Sequence, residues 1–113
     1  MSPRGNQSRA YDLVCILYLQ VPPADRRAVL ERAASALAPG GRVLVVGHHL
    51  CNLTEGVGGP SSADVLFTPE DVTGGLPGLL IERAEAVPRP VETDEGTRDA
   101  IDALVLVRRP VDA

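Results

Sequence analysis

Nine consecutive residues, Tyr11-Asp12-Leu13-Val14-Cys15-Ile16-Leu17-Tyr18-Leu19, are apolar at odd and even positions alike, with only Asp12 breaking the run near its start. A strand with one wet face alternates, so a run without alternation is the pattern of a parallel strand buried on both faces. Parallel strands need a crossover, and the next segment provides one. Pro22 and Pro23 end the run, and the second proline suits the first turn of a helix, where its missing N–H costs nothing. The spacing predicts a helix from about Ala24 to Ala38. Val29, Leu30, Ala33, Ala34 and Leu37 recur at threes and fours, opposite Arg26, Arg27, Glu31 and Arg32, and Arg27 and Glu31 stand four apart. Ala38-Pro39-Gly40-Gly41 ends the helix in a tight turn, and Arg42-Val43-Leu44-Val45-Val46-Gly47 is a second continuous β-branched run. Strand, helix and strand in that order make a right-handed βαβ unit.

The second half of the chain changes character. His48-His49-Leu50-Cys51 leaves the strand, and residues Asn52 through Ala63 (NLTEGVGGPSSA) are expected to form a mobile loop. Thr68-Pro69-Glu70-Asp71 is a helix start, with a hydroxyl cap, proline at the first position and two acids at the positive end of the dipole; Gly74 and Gly75 close it. Leu79 to Glu92 reads as extended, but Pro88 and Pro90 each remove a ladder donor, which assigns it to a sheet edge. After a turn at Thr93-Asp94-Glu95-Gly96-Thr97, Ala100 to Arg108 returns as a strong strand, antiparallel to the one before it.

A chain of 113 residues holds at most one small domain. No apolar stretch approaches the roughly 18 residues of a membrane-spanning helix. The polar head, residues 1–10, is expected to be disordered and carries no secretory signal pattern, which points to the cytoplasm. A net charge of −4 and a pI near 5.0 argue against nucleic acid and against anionic membrane as partners, since both require a basic excess. Cys15 and Cys51 are too few for a disulfide-stapled scaffold. With three aromatic rings in all, the core must be aliphatic, and the all-arginine basic set suggests a GC-rich bacterial genome.

Taken in order, the segments YDLV, YLQVP, R..VL.RA...LAPGGRVLVVGHH, NLTEGVGGP, LFTPEDV and AIDALVLVRRP carry a resemblance that covers Tyr11 to Pro110. The chain resembles the C-terminal part of a class I S-adenosylmethionine-dependent methyltransferase of the small bacterial, tellurite-resistance or ubiquinone-methylase type. The resemblance implies an α/β fold: the C-terminal half of a Rossmann-like sheet, with a parallel βαβ unit followed by an antiparallel C-terminal hairpin. It implies S-adenosylmethionine as cofactor, a small-molecule methyl acceptor as substrate, and in-line methyl transfer in which the protein mainly aligns and desolvates. It also exposes a departure. The glycine-rich turn and the acid that hold the cofactor in the family have no counterpart here. Glu55-Gly56-Val57-Gly58-Gly59 follows the wrong strand and precedes no helix, so it reads as a flexible lid. Residues 11–113 are therefore expected to be a partial domain lacking the cofactor-binding strands, with little affinity for the cofactor alone, and to self-associate or pair with an N-terminal half through the first strand.

Ligands of open α/β sheets sit beyond the carboxyl ends of the parallel strands. By the resemblance, Leu17, Tyr18 and Leu19 lie under the methionine end of the cofactor, and Tyr18, Gln20 and His48 face the acceptor; Tyr18 as a half-buried packing residue is the competing reading. His48 and His49, at the end of the second strand, are candidates for a general base, although a histidine there is more often structural. A zinc site of His48, His49 and Cys51 is disfavoured, because adjacent residues of an extended segment point to opposite faces. Asp12 reads as structural, and Asp102 is expected to face solvent. Two further readings remain: a non-catalytic module or relic that pairs through its exposed first strand, and the tail of a dinucleotide-binding reductase, which explains the final hairpin poorly.

Overall fold

The computed structural model describes residues 11–50 and 65–111. The polar head, Cys51, the segment Asn52 to Ala63 and its glycine cluster, for which disorder, a loop and a lid are expected, lie outside the described residues. The described residues form four strands and two helices: β1 (Tyr11–Leu17), α1 (Pro23–Ala36), β2 (Leu37–His48), α2 (Pro69–Thr73), β3 (Leu80–Thr93) and β4 (Gly96–Arg108). They form an α/β structure with one mixed sheet of order β1-β2-β4-β3. β1 and β2 are parallel, with Leu13 opposite Arg42 and Leu17 opposite Val46. β4 runs antiparallel to both β2 and β3, pairing Val45 with Val105 and Pro88 with Ile101. β3 is the edge strand that its two prolines predict. No helix among the described residues is long and apolar enough to cross a membrane.

The helix is shorter than its pattern suggests. It stops at Ala36, and Leu37 is already extended with φ −74° and ψ 135°. The reason is packing. Leu37 is fully buried, and the segment after it joins the sheet as an irregular start of β2, in which Gly40 takes φ +81° and Gly40 and Gly41 exchange backbone hydrogen bonds with Arg109. The expected turn at Pro39-Gly40-Gly41 is thus a bulged strand entry, and the register between β1 and β2 slips there. α2 begins as predicted: the Thr68 hydroxyl accepts from the Asp71 N–H at 3.2 Å and the Asp71 carboxylate accepts from the Thr68 N–H at 2.9 Å.

The core lies on one face of the sheet. Leu30 and Ala33 of α1, with Phe67, Val72 and Leu76 around α2, cover Val43 and Val45 of β2 and Ala103, Val105 and Val107 of β4. Each fully buried Leu or Val among them contributes about 1.5–3 kcal/mol. The other face has no helix over it among the described residues. By strand alternation it carries Leu13, Cys15 and Leu17 of β1, Leu44 and Val46 of β2, and Leu104 and Leu106 of β4. This corrects the expectation for the first run. None of its residues in β1 is buried, and Leu13 and Leu17 are 55% and 56% exposed, because β1 is a sheet edge covered by α1 on a single face.

Candidate functional site

The carboxyl ends of β1 and β2 lie side by side, and the Tyr18 N–H still donates to the Val46 carbonyl at 2.7 Å, one residue past β1. There the chain bends sharply. Tyr18 has φ +56°, the one positive φ outside glycine among the described residues, in a region that bulky side chains rarely occupy. The bend brings the Tyr18 phenol over the sheet face that lacks a helix. Its hydroxyl donates to Asp102 Oδ2 of β4 at 2.7 Å.

Asp102 is the sole buried charged residue among those described, 5% exposed. A carboxylate taken out of water needs partners. It has a second one in Arg89 of β3, whose Nε donates to Oδ2 at 3.0 Å and whose Nη2 donates to Oδ1 at 3.4 Å. The guanidinium also lies 5.5 Å from the centre of the Tyr18 ring. Opposite Asp102 in the β2–β4 register stands His48, whose ring centre is 5.1 Å from that of Tyr18 at an interplanar angle of 49°. His48 Nδ1 is buried and has no hydrogen-bond partner.

Electrostatics set what these groups can do. The hydrogen bond to Asp102, then burial, holds the Tyr18 phenol above its usual pKa, so it stays protonated and is no base at neutral pH. Arg89 neutralises Asp102, and the bidentate contact raises the pKa of the guanidinium further. Asp102 therefore works as a brace that fixes Tyr18 and Arg89, and the His48 imidazole is left with an unused ring nitrogen.

The remaining candidates separate. Leu17 is exposed on the open face beside Val46, and Gln20 is exposed beyond it. Leu19 turns the other way, into a small apolar cavity under α1 with Ile16, Val29, Leu30, Val45 and Phe67. His49 bridges Phe67 through the backbone and donates its N–H to the Ile101 carbonyl. Among the described residues no group of three or more His, Cys, Asp or Glu is placed to hold a metal ion. Asp102 faces the cluster and not solvent, which corrects the sequence reading. Nothing in the local sequence pattern marks Arg89 as part of a site. An acid inside the apolar run Ala100–Val107 was the available signal, since a strand covered by neighbours on both sides tolerates a charge only if something pairs with it.

Among the described residues, no cradle for an anionic or phosphate-like group is built at these strand ends. Gly47 stands one residue before the end of β2, but a Cβ there would lie 2.4 Å from Phe67 Cζ, so the space that the glycine leaves is filled by that ring. The glycines with positive φ, Gly40, Gly78 and Gly96, lie elsewhere. α1 starts after Pro22 with Pro23, neither of which offers an N–H, and places Asp25 in its first turn.

No protein-family profile matches the sequence, and no curated protein matches it. Solved structures do match. The S-adenosylmethionine-dependent methyltransferase from Methanosarcina mazei superposes with a TM-score of 0.64 at 13% identity, over 93% of this chain and 62% of its own. TehB from Haemophilus influenzae gives 0.66 at 13% identity, over 93% of this chain and 37% of its own. The N-methyltransferase NodS from Bradyrhizobium japonicum gives 0.60 at 17% identity, over 90% and 52%. A structure described for the conversion of a disulfide bond into a thioacetal group in echinomycin biosynthesis gives 0.64 at 15% identity, over 96% and 52%. The chain thus shares its fold with methyltransferases and spans about half the length of most of these neighbours.

Proposed function

We propose that this chain forms the acceptor-facing half of an S-adenosylmethionine-dependent methyltransferase acting on a small molecule. The observation that carries the reading is the sheet: a parallel βαβ unit continued by a reversed hairpin in the order β1-β2-β4-β3, which superposes on methyltransferases over nearly the whole chain. Fold alone does not specify chemistry. The polar cluster supports the reading further, because it stands at the carboxyl ends of the parallel strands, where open α/β sheets bind ligands.

The cofactor itself does not fit the described residues. A methionine carboxylate would need free backbone amides at a glycine turn or helix start; Phe67 fills the place beside Gly47, and prolines occupy the start of α1. S-Adenosylmethionine would have to be held mainly by a second, cofactor-binding half. The partner would add to β1, whose Leu13 and Leu17 are exposed. The cytoplasmic setting expected from the sequence belongs to the same proposal.

Co-expression of the chain with the cofactor-binding half of a related methyltransferase, followed by transfer of a labelled methyl group to a panel of small molecules, tests this reading. Label incorporation by the pair, and by neither half alone, is the expected result. A stable pair that transfers no label to any hydroxyl, amine or thiol acceptor would overturn it. The exposed β1 edge favours one second reading, a non-catalytic module that pairs through this strand, and that outcome would replace the first.

A further inference from the structure

On the helix-covered face, away from the Tyr18 cluster, α1 and α2 leave between them a cavity of about 410 Å³, within the range of roughly 300–1,000 Å³ that small-molecule sites occupy. Leu30 and Leu66, 2% and 3% exposed, line it from the core side. Pro23, Arg27, Leu50 and Asp71 also line it and are exposed, so the cavity opens to solvent. Arg26 and Arg27 of α1 thus reach the same space.

The charge of these two arginines is unanswered. A guanidinium does not give up its proton in a protein, so water or an acceptor must meet its charge. The Arg26 guanidinium lies 5.1 Å from the centre of the Phe67 ring, and its Nη1 is buried without a hydrogen-bond partner. Among the described residues neither Arg26 nor Arg27 is in an ion pair, whereas Arg42, Arg83, Arg89, Arg98 and Arg108 all are. Asp71, the one carboxylate in the lining, is committed to the cap of α2, where it accepts from the Thr68 N–H at 2.9 Å. Two guanidiniums against one carboxylate leave the lining net positive.

An anion could use this charge without reaching Nη1. Arg27 is exposed and Arg26 half-buried, so a group entering from solvent meets accessible parts of both. The prolines that start α1 rule out a cradle of backbone amides, and the side chains take over that part: a guanidinium fork matches the two oxygens of a carboxylate. Leu30, Leu50, Leu66 and Pro23 complete the lining with apolar surface. A charged head beside an apolar wall is the chemistry of a small organic acid.

We propose that the cavity between α1 and α2 binds a small organic carboxylate, its anionic head between Arg26 and Arg27 and its apolar body against Leu30, Leu50 and Leu66. The inference goes beyond the function proposed above and does not rest on it, since binding is measured with neither cofactor nor methyl transfer.

Benzoate is the probe, and benzamide, of the same shape without the charge, is its control. Saturation-transfer NMR titrations on the purified chain give both affinities whatever the size of the assembly. Benzoate is expected to bind about tenfold more tightly than benzamide, a factor equivalent to about 1.4 kcal/mol. Arg27→Gln, at an exposed position, should remove most of that difference, and Arg32→Gln, exposed on α1 but outside this cavity, should leave it unchanged. On the wild-type chain, benzoate and not benzamide should slow the modification of Arg27 by phenylglyoxal, followed by mass spectrometry, while Arg32 reacts at one rate throughout; this readout needs no variant to fold. Equal affinity for the two probes, a difference that survives Arg27→Gln or is lost equally in Arg32→Gln, or an Arg27 that benzoate does not protect would overturn the proposal.

Discussion

Gly47→Ala is the substitution for which the structure dictates the cost most directly. The added carbon would sit 2.4 Å from Phe67 Cζ and 2.7 Å from Cε2, whereas carbon atoms in contact prefer about 3.5–4.0 Å. Phe67 has little room to retreat. It is 3% exposed, belongs to the main core, and has the Arg26 guanidinium 5.1 Å from its ring centre. Overpacking of this kind costs about 1–3 kcal/mol, and replacing glycine in a strand returns about 0.5–1 kcal/mol of backbone entropy. The net expectation is a loss of about 1–2 kcal/mol, which lowers the melting temperature of a domain this size by roughly 4–10 °C. Urea denaturation followed by circular dichroism should show the midpoint falling with the slope unchanged. Gly47→Ala with Phe67→Leu should be less destabilised than the two single variants add up to, because the shorter side chain vacates the clash. Wild-type stability in Gly47→Ala would refute the reasoning: Phe67 would not be seated against Gly47, and the end of β2 would be open to a ligand after all.

Tyr18→Phe should flatten the alkaline limb of the stability curve. The folded phenol pKa is raised above the unfolded value near 10 by Asp102, so its contribution is whole below about pH 10 and is lost as the pH climbs through the folded value; a variant with the same alkaline decline would contradict this. Cys15, exposed on the open face, should react with a disulfide reagent in the folded chain as fast as in the denatured chain when the chain is dilute, and slowly once β1 is covered. Leu13→Lys with Leu17→Lys should reduce self-association in sedimentation while changing stability by no more than about 1 kcal/mol, since both side chains are more than half exposed; undiminished association would place the contact elsewhere. His48→Ala with His49→Ala should leave zinc at background in the purified chain, and stoichiometric zinc lost in that variant would restore the metal reading.

Much of this architecture is written in local pattern. The prolines before α1, the threonine cap of α2, the prolines of β3 and the continuous runs of β2 and β4 each act within a few residues, and each element stands within a few positions of its expected place. What the pattern does not contain is the surroundings of the strand. Tyr11–Leu19 has the composition of a strand buried twice, yet β1 has α1 on one face and an open edge, and none of its residues is buried. The candidate site was legible in part. Tyr18 and His48 follow from their place at the ends of parallel strands. The pairing of Arg89 with Asp102 is not legible, because 13 residues and a hairpin separate them and their meeting depends on the β3–β4 register. Asp102 looked like an outward-facing acid because alternation alone does not reveal that Tyr18 bends back over that face.

The claim that these residues are the acceptor side of a divided site is tested most directly by titrating S-adenosylmethionine into the purified chain in a calorimeter, alone and after assembly with a cofactor-binding half. The account predicts no measurable heat of binding for the chain alone and saturable binding for the assembly. A micromolar dissociation constant for the chain by itself, equivalent to about −8 kcal/mol, would contradict it. The described strand ends would then hold the cofactor despite Phe67 beside Gly47 and the prolines at α1.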